Sequence, residues 1–106
     1  MTFAEIHKEA TAAAKVAAQA MYDKIGGDRY ACGFAWCVVY GVKLSTKQGK
    51  EMKAVGFEKE YNGGISLWNP SDSPVQNIDI KEAGARAYAD VLKQHGFDAY
   101  ANSRLD

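Results

Sequence analysis

The stretch Arg29-Tyr30-Ala31-Cys32-Gly33-Phe34-Ala35-Trp36-Cys37-Val38-Val39-Tyr40-Gly41-Val42-Lys43 decides the fold. Its residues alternate by size rather than by polarity. Tyr30, Cys32, Phe34, Trp36, Val38, Tyr40 and Val42 fall on one side of an extended chain; Ala31, Gly33, Ala35, Cys37, Val39 and Gly41 fall on the other. Both sides are apolar, which predicts a central strand over 29–43 covered at least in part on both faces. The small side suits close packing of a helix. The aromatic side is either a second core or a binding platform.

Working outward, Ser45 and Gln48 form a capping-box pattern that predicts a short helix ending at Val55. Gly56 and Phe57 then take the two positions after a helix end that a Schellman cap requires, with Phe57 touching Met52. Gly96 and Phe97 repeat the device against Leu92. Ahead of the strand, Thr2 and Glu5 open a helix that Gly26-Gly27 stop; its stripe Phe3, Ile6, Ala10, Ala13, Ala17, Met21, Ile25 is mostly alanine. Phe57–Tyr61 and Ile65–Asn69 read as strands around Asn62-Gly63-Gly64, where Asn-Gly favours a type I′ turn. A polar loop spans Pro70 to Asn77. Asp79 and Glu82 open a last helix, Ile80–His95, with apolar rows Ala83, Ala87, Val91 and Gly84, Tyr88, Leu92. A final strand covers Phe97–Asn102.

The order is one helix, then β-α-β-β-α-β. It predicts an α+β, ferredoxin-like antiparallel four-stranded sheet with an extra N-terminal α-helix, the long strand being central. The chain is a single domain over 1–106, the N-terminal helix in 1–27 and the βαββαβ core in 28–106. Two core helices cover one face. The additional helix goes over the open face, at an edge, or onto a second subunit, and that surplus predicts a homo-oligomer.

Thirteen basic and thirteen acidic residues leave no net charge, which argues against holding nucleic acid by bulk charge. With 47% hydrophobic and 25% charged residues, the balance argues against wholesale disorder. No run of about 18 apolar residues predicts a membrane span, and Met1 to Glu5 lacks the marks of a signal peptide, so a cytoplasmic setting is expected. Cys32 and Cys37, five apart on one strand, point to opposite faces roughly 16 Å apart at about 3.3 Å per residue, too far for a bridge. Two histidines and two cysteines show no metal-ligand spacing, and no cofactor motif is present.

Four groups of residues are candidates for binding. Trp68-Asn69-Pro70-Ser71 places a stacking ring beside an amide and a hydroxyl, weighed evenly against anchoring of the loop. Arg29 and Arg104 flank two strand ends that would meet in the fold, where paired guanidinium groups would clamp a phosphate; Arg104 would otherwise pair with Asp98 or Asp106. Lys47, among Lys43, Lys50 and Lys53, stands at a helix start able to hold an anion, against the plainer role of a solvated face. Gly33-Phe34-Ala35-Trp36 is similar to the middle of an RNA-recognition octapeptide, but it lies on the first strand, and Cys32 replaces the expected base. Packing is therefore preferred for the aromatic face, and nucleic acid ranks lower as a partner. No Gly-x-Ser-x-Gly and no Walker loop occurs; His95 suits a helix C-terminus and His7 the polar side of the first helix. The expectation is a protein without catalysis.

Asp28 to Trp36, Leu67 to Ser71, Gln76 to Asp79 and Ala99 to Asp106 together resemble a family of small tailed-bacteriophage proteins with no assigned activity. The resemblance implies the host cytoplasm and brings no catalytic residue. It turns the expectation toward a non-catalytic anti-defence protein that sequesters a nucleotide-like small ligand. Arg29 and Arg104 would hold phosphates, Trp68 would stack, Asn69 and Ser71 would give polar recognition, and Lys47 would assist. Inhibition of a host enzyme by protein contact, or accessory binding of single-stranded nucleic acid, are the alternatives.

Overall fold

The computed structural model describes residues 1–61 and 63–106. Helix α1 spans Phe3–Ile25; strand β1, Gly33–Tyr40; helix α2, Lys47–Ala54; strands β2 and β3, Glu58–Lys59 and Ile65–Trp68; helix α3, Ile78–Gln94; strand β4, Asp98–Leu105. The four strands form one antiparallel sheet in the order β2-β3-β1-β4. The central strand is thus the one that the size alternation marks, although it is shorter than 29–43. Cys32 makes only an isolated bridge to Asn77, and Tyr30 is 95% exposed. No helix is long and apolar enough to cross a membrane among the described residues.

The small side of β1 meets the helices. Ala35, Cys37 and Val39 are buried there with Ile65, Leu67 and Ala99. α3 packs across β1 and β4. α1 lies neither over the open face nor at an edge, two of the places its surplus suggested. It runs antiparallel beside α3, with Phe3 edge-on to Phe97 after the end of α3, and Met21 and Ile25 near Asp79 at its start. Ala10, Ala14 and Ala18 are the buried alanines, so the stripe continues in steps of four, where 13 and 17 were expected. A step of four keeps small residues against α3, and close approach replaces the area that alanine lacks. Phe3 supplies bulk, edge-on to Phe57 as well as Phe97. A fully buried Phe such as Phe57 contributes about 1.5–3 kcal/mol by removal from water.

Both Schellman caps form. Phe57 N–H donates to the Met52 carbonyl (3.1 Å) and Phe97 N–H to that of Leu92 (3.0 Å), while Gly56 and Gly96 adopt positive φ. The helix starts differ from expectation. Thr46, not Ser45, caps α2, accepting from Gly49 N–H at 3.0 Å. Asn77, not Asp79, caps α3, accepting from Ile80 N–H at 3.0 Å. Asn77 wins because its Nδ2 also donates to the Arg29 carbonyl (2.9 Å), and the Asp28 carboxylate accepts from its backbone N–H (3.0 Å). Those contacts join the entry of β1 to the start of α3 across 48 residues, which no local pattern reveals.

The hairpin strands are shorter than expected, β2 being only Glu58–Lys59 and β3 ending at Trp68. The type I′ turn at Asn62 lies outside the described residues. The last strand is longer, pairing with β1 from Asp98↔Tyr40 to Leu105↔Gly33. His7 also departs from the solvated side. It is half-buried, with Nδ1 2.7 Å from the Tyr88 hydroxyl, and burial lowers its pKa.

Candidate functional site

With three helices on the small side, the aromatic side of the sheet is left open. β1 directs Phe34, Trp36, Val38 and Tyr40 to it; β4 adds Tyr100, Asn102 and Arg104; β3 adds Ser66 and Trp68. The register is what assembles the cluster. Trp36 stands opposite Trp68 on one flank, and Phe34 stands opposite Arg104 on the other. The two indoles stack at 4.8 Å and 24°, and Phe34 meets Trp68 edge-on at 5.9 Å. Trp68 remains 48% exposed.

Two cations border these rings. The Arg104 guanidinium lies 5.4 Å from the Phe34 ring centre and 5.9 Å from that of Trp68. Lys81 extends from the first turn of α3, donates to the Gly33 carbonyl at 3.0 Å, and places its ammonium 5.4 Å from Phe34. Lys81 is buried, yet neither it nor Arg104 has an ion pair among the described residues. The Gly33 carbonyl and the Phe34 ring are the contacts that the Lys81 ammonium makes in place of a carboxylate. An anion arriving on the open face beside Phe34 would meet the exposed Arg104. The opposite end of the face is acidic, with Asp98 on β4 and Glu58 on β2. There the Asp98 carboxylate raises the pKa of Tyr100.

The six residues singled out from sequence divide into three groups. Trp68 and Arg104 come together on the open face. Asn69 and Ser71 belong to the loop that leaves it. Asn69 N–H donates to the Ala35 carbonyl (2.9 Å) and its Nδ2 to that of Ser73 (3.0 Å), with φ at 46°. Ser71 is buried against Gly84 of α3. The Asn69 Oδ1 and the Ser71 Oγ are buried without a partner among the described residues. Clefts of about 300 and 320 Å³ run on either side of this loop, both lined by Lys15 and Asp72. Asn69 thus holds the loop through its backbone N–H and its Nδ2.

Arg29 and Lys47 lie apart from the cluster. The Arg29 guanidinium folds back toward Gly26 at the end of α1, away from Arg104, although their strand ends meet as expected. Lys47 begins α2, beyond the Tyr40 end of β1 and opposite to Phe34. Arg104 pairs with neither Asp98 nor Asp106.

The sequence does not mark Lys81, because a lysine in a helix ordinarily faces water. The signal was its place: three residues before Gly84 and seven before Tyr88, it continues the apolar row that faces the sheet. Phe34 and Trp36 were visible as an aromatic face, but not as an uncovered one. No group of three or more histidine, cysteine or acidic side chains is placed to hold a metal among the described residues. Cys32 is exposed and Cys37 buried, both free, and burial pushes the Cys37 thiol up to about 12. Comparison with protein-family models, curated proteins and solved structures finds no match to this chain.

Proposed function

We propose that this protein is a non-catalytic binding protein whose open sheet face holds a short stretch of single-stranded nucleic acid. The observation that carries this reading is the exposed Trp68, stacked on Trp36 and bordered by Arg104, which has no carboxylate partner among the described residues. A base stacks on Trp68 and its phosphate lies toward Arg104. Stacking of this kind contributes about 1–3 kcal/mol per base and tolerates any sequence. The shape of the surface favours a strand over a free nucleotide. The open face is a sheet surface, whereas the cleft of about 300 Å³ beside the loop, lined by Trp68 and Asn69 among others, is the concavity that a free nucleotide would take. The strand order also supports the ferredoxin-like arrangement, in which a sheet face is free to act as such a platform.

The test is a titration of tryptophan fluorescence with short single-stranded oligonucleotides, a duplex and free nucleotides. The expected result is quenching by single strands that weakens as salt rises. Trp68→Ala should reduce affinity roughly 5–150-fold, the factor that about 1–3 kcal/mol represents. Arg104→Ala should weaken binding and lower the salt slope by about one. Equal affinity for a free nucleotide would favour sequestration of a nucleotide signal instead. No quenching by any of these ligands would refute a base-stacking face.

A further inference from the structure

The two edges of the sheet are built differently. β2 is a two-residue strand, Glu58 and Lys59, the short and charged kind of edge that resists further pairing. β4 has eight residues, pairs with β1 over its whole length, and is the other margin of the sheet. It contains no proline, and its register against β1 runs unbroken from Asp98 to Leu105. Asp106 N–H donates to the Cys32 carbonyl at 3.1 Å, which sets the phase of the ladder. By that phase, Asp98, Tyr100, Asn102 and Arg104 turn their backbone groups toward β1, and Ala99, Ala101 and Ser103 turn theirs outward. Only Ser103 N–H of the outward set finds an acceptor, the neighbouring Asn102 Oδ1 at 2.9 Å, among the described residues.

We propose that β4 pairs with β4 of a second copy of this chain, antiparallel about a two-fold axis at Ala101, making one eight-stranded sheet. Ala101 then faces itself and Ala99 faces Ser103, the hydrogen-bonded positions. Tyr100 faces Asn102, and Asp98 faces Arg104, at the positions where opposed side chains come closest. Charge selects this register. A two-fold at Ala99, Tyr100 or Ser103 would also pair outward groups but would oppose no charges, and one at Asn102 would set Asp98 against Asp106. The axis at Ala101 opposes Asp98 and Arg104 twice, and neither residue is ion-paired within one copy among the described residues.

Lys93 reaches over the Tyr100 ring from α3, but it is half-exposed and free to turn aside. Arg86, Asp90 and Lys93 line the groove beside β4 with alternating signs, so the helical side also avoids a like-charged front. Arg104 retains its place over Phe34 and Trp68, since a guanidinium has donors enough for a carboxylate and a phosphate together.

Sedimentation velocity over a concentration series tests the pairing. The expected result is a reversible dimer. Arg104→Asp and Asp98→Arg each place like charges at both pairs and should weaken it about tenfold or more; the double exchange should restore it. Ala101→Pro removes the central outward N–H, which β1 does not use, so circular dichroism should be unchanged while the dimer is lost. Sedimentation as an 11.6 kDa monomer at every concentration would overturn the proposal. So would a dimer indifferent to Ala101→Pro, or one indifferent to the charge exchange.

Discussion

Gly84→Ala should destabilise the protein, although helix propensity says the reverse. Gly84 lies within α3, where alanine is favoured by about 1 kcal/mol. A Cβ at that position would stand 2.7 Å from Ser71 Cβ and 2.8 Å from Ser71 Oγ, with the Ala14 carbonyl oxygen of α1 at 3.4 Å. It would thus intrude roughly 0.7 Å inside ordinary contact with Ser71. The serine is buried, and α1 stands close on the same side, so little room exists for retreat. Inserting a methyl group into packed surroundings costs about 1–3 kcal/mol. Taking the upper half of that range for a contact with a buried side chain, the net loss is about 1–2 kcal/mol, or roughly 4–16 °C in Tm for a domain of this size. The assay is urea unfolding followed by circular dichroism, closed into a cycle with Ser71→Gly. Ser71→Gly alone costs about 0.5–1 kcal/mol in backbone entropy but removes a buried hydroxyl that has no partner among the described residues. In the double variant the added methyl occupies the space left by the serine, and the coupling should favour it by about 1 kcal/mol or more. Gly84→Ala stabilising by its full propensity, with no coupling to Ser71, would refute the docking of this loop on α3.

Three further outcomes follow from the same geometry. Thr46→Ala should cost about 1 kcal/mol through loss of the α2 cap, and Ser45→Ala less than about 0.5, measured by urea unfolding. Burial holds His7 below its ordinary 6.5, so the unfolded chain binds the proton more readily than the folded one. Stability is therefore full above about pH 6.5 and declines as pH falls through that value toward the folded pKa; Tm against pH should show the slope, and His7→Gln should remove it. A thiol reagent should modify one cysteine in the folded protein, the exposed Cys32, and both after unfolding, read by mass spectrometry, because Cys37 is buried and its thiol is raised to about 12.

The sequence made the architecture visible where local physics decides it. Gly56-Phe57 and Gly96-Phe97 identify their caps because a Schellman turn is closed by residues only five positions apart. β1 announces itself by side-chain size, since a strand between a helix and an open face needs slim residues on one side only. The illegible parts depend on distant partners. Asn77 displaces Asp79 as a cap because Asp28 and Arg29 reach it from another part of the chain. Lys81 joins the candidate site because the Gly33 carbonyl is there to receive it. The pairing of Trp68 with Trp36, and of Arg104 with Phe34, required a register; the composition of each strand alone does not supply one. Arg29 and Arg104 illustrate the limit well: their strand ends do meet, but a long side chain has freedom to turn away, and that of Arg29 does.

The placement of α1 is what makes an open face available. The four-stranded sheet has two apolar sides, and a 23-residue helix with an apolar stripe would gain area by covering either. On the aromatic side its alanines would rest on Trp36, Trp68, Tyr40 and Tyr100, rings too broad to interlock with so slim a stripe. Beside α3 the same alanines allow close approach, because α3 presents Gly84, Ala85 and Ala89 among its buried residues. Phe3 then closes the far end against Phe57 and Phe97, the two residues that the Schellman caps have already turned inward. Small residues matched to small residues thus decide the side by shape rather than by area. The consequence is that the large rings remain uncovered with Arg104 and Lys81 around them, and the chain carries an exposed aromatic surface as a result of how its own core is best packed.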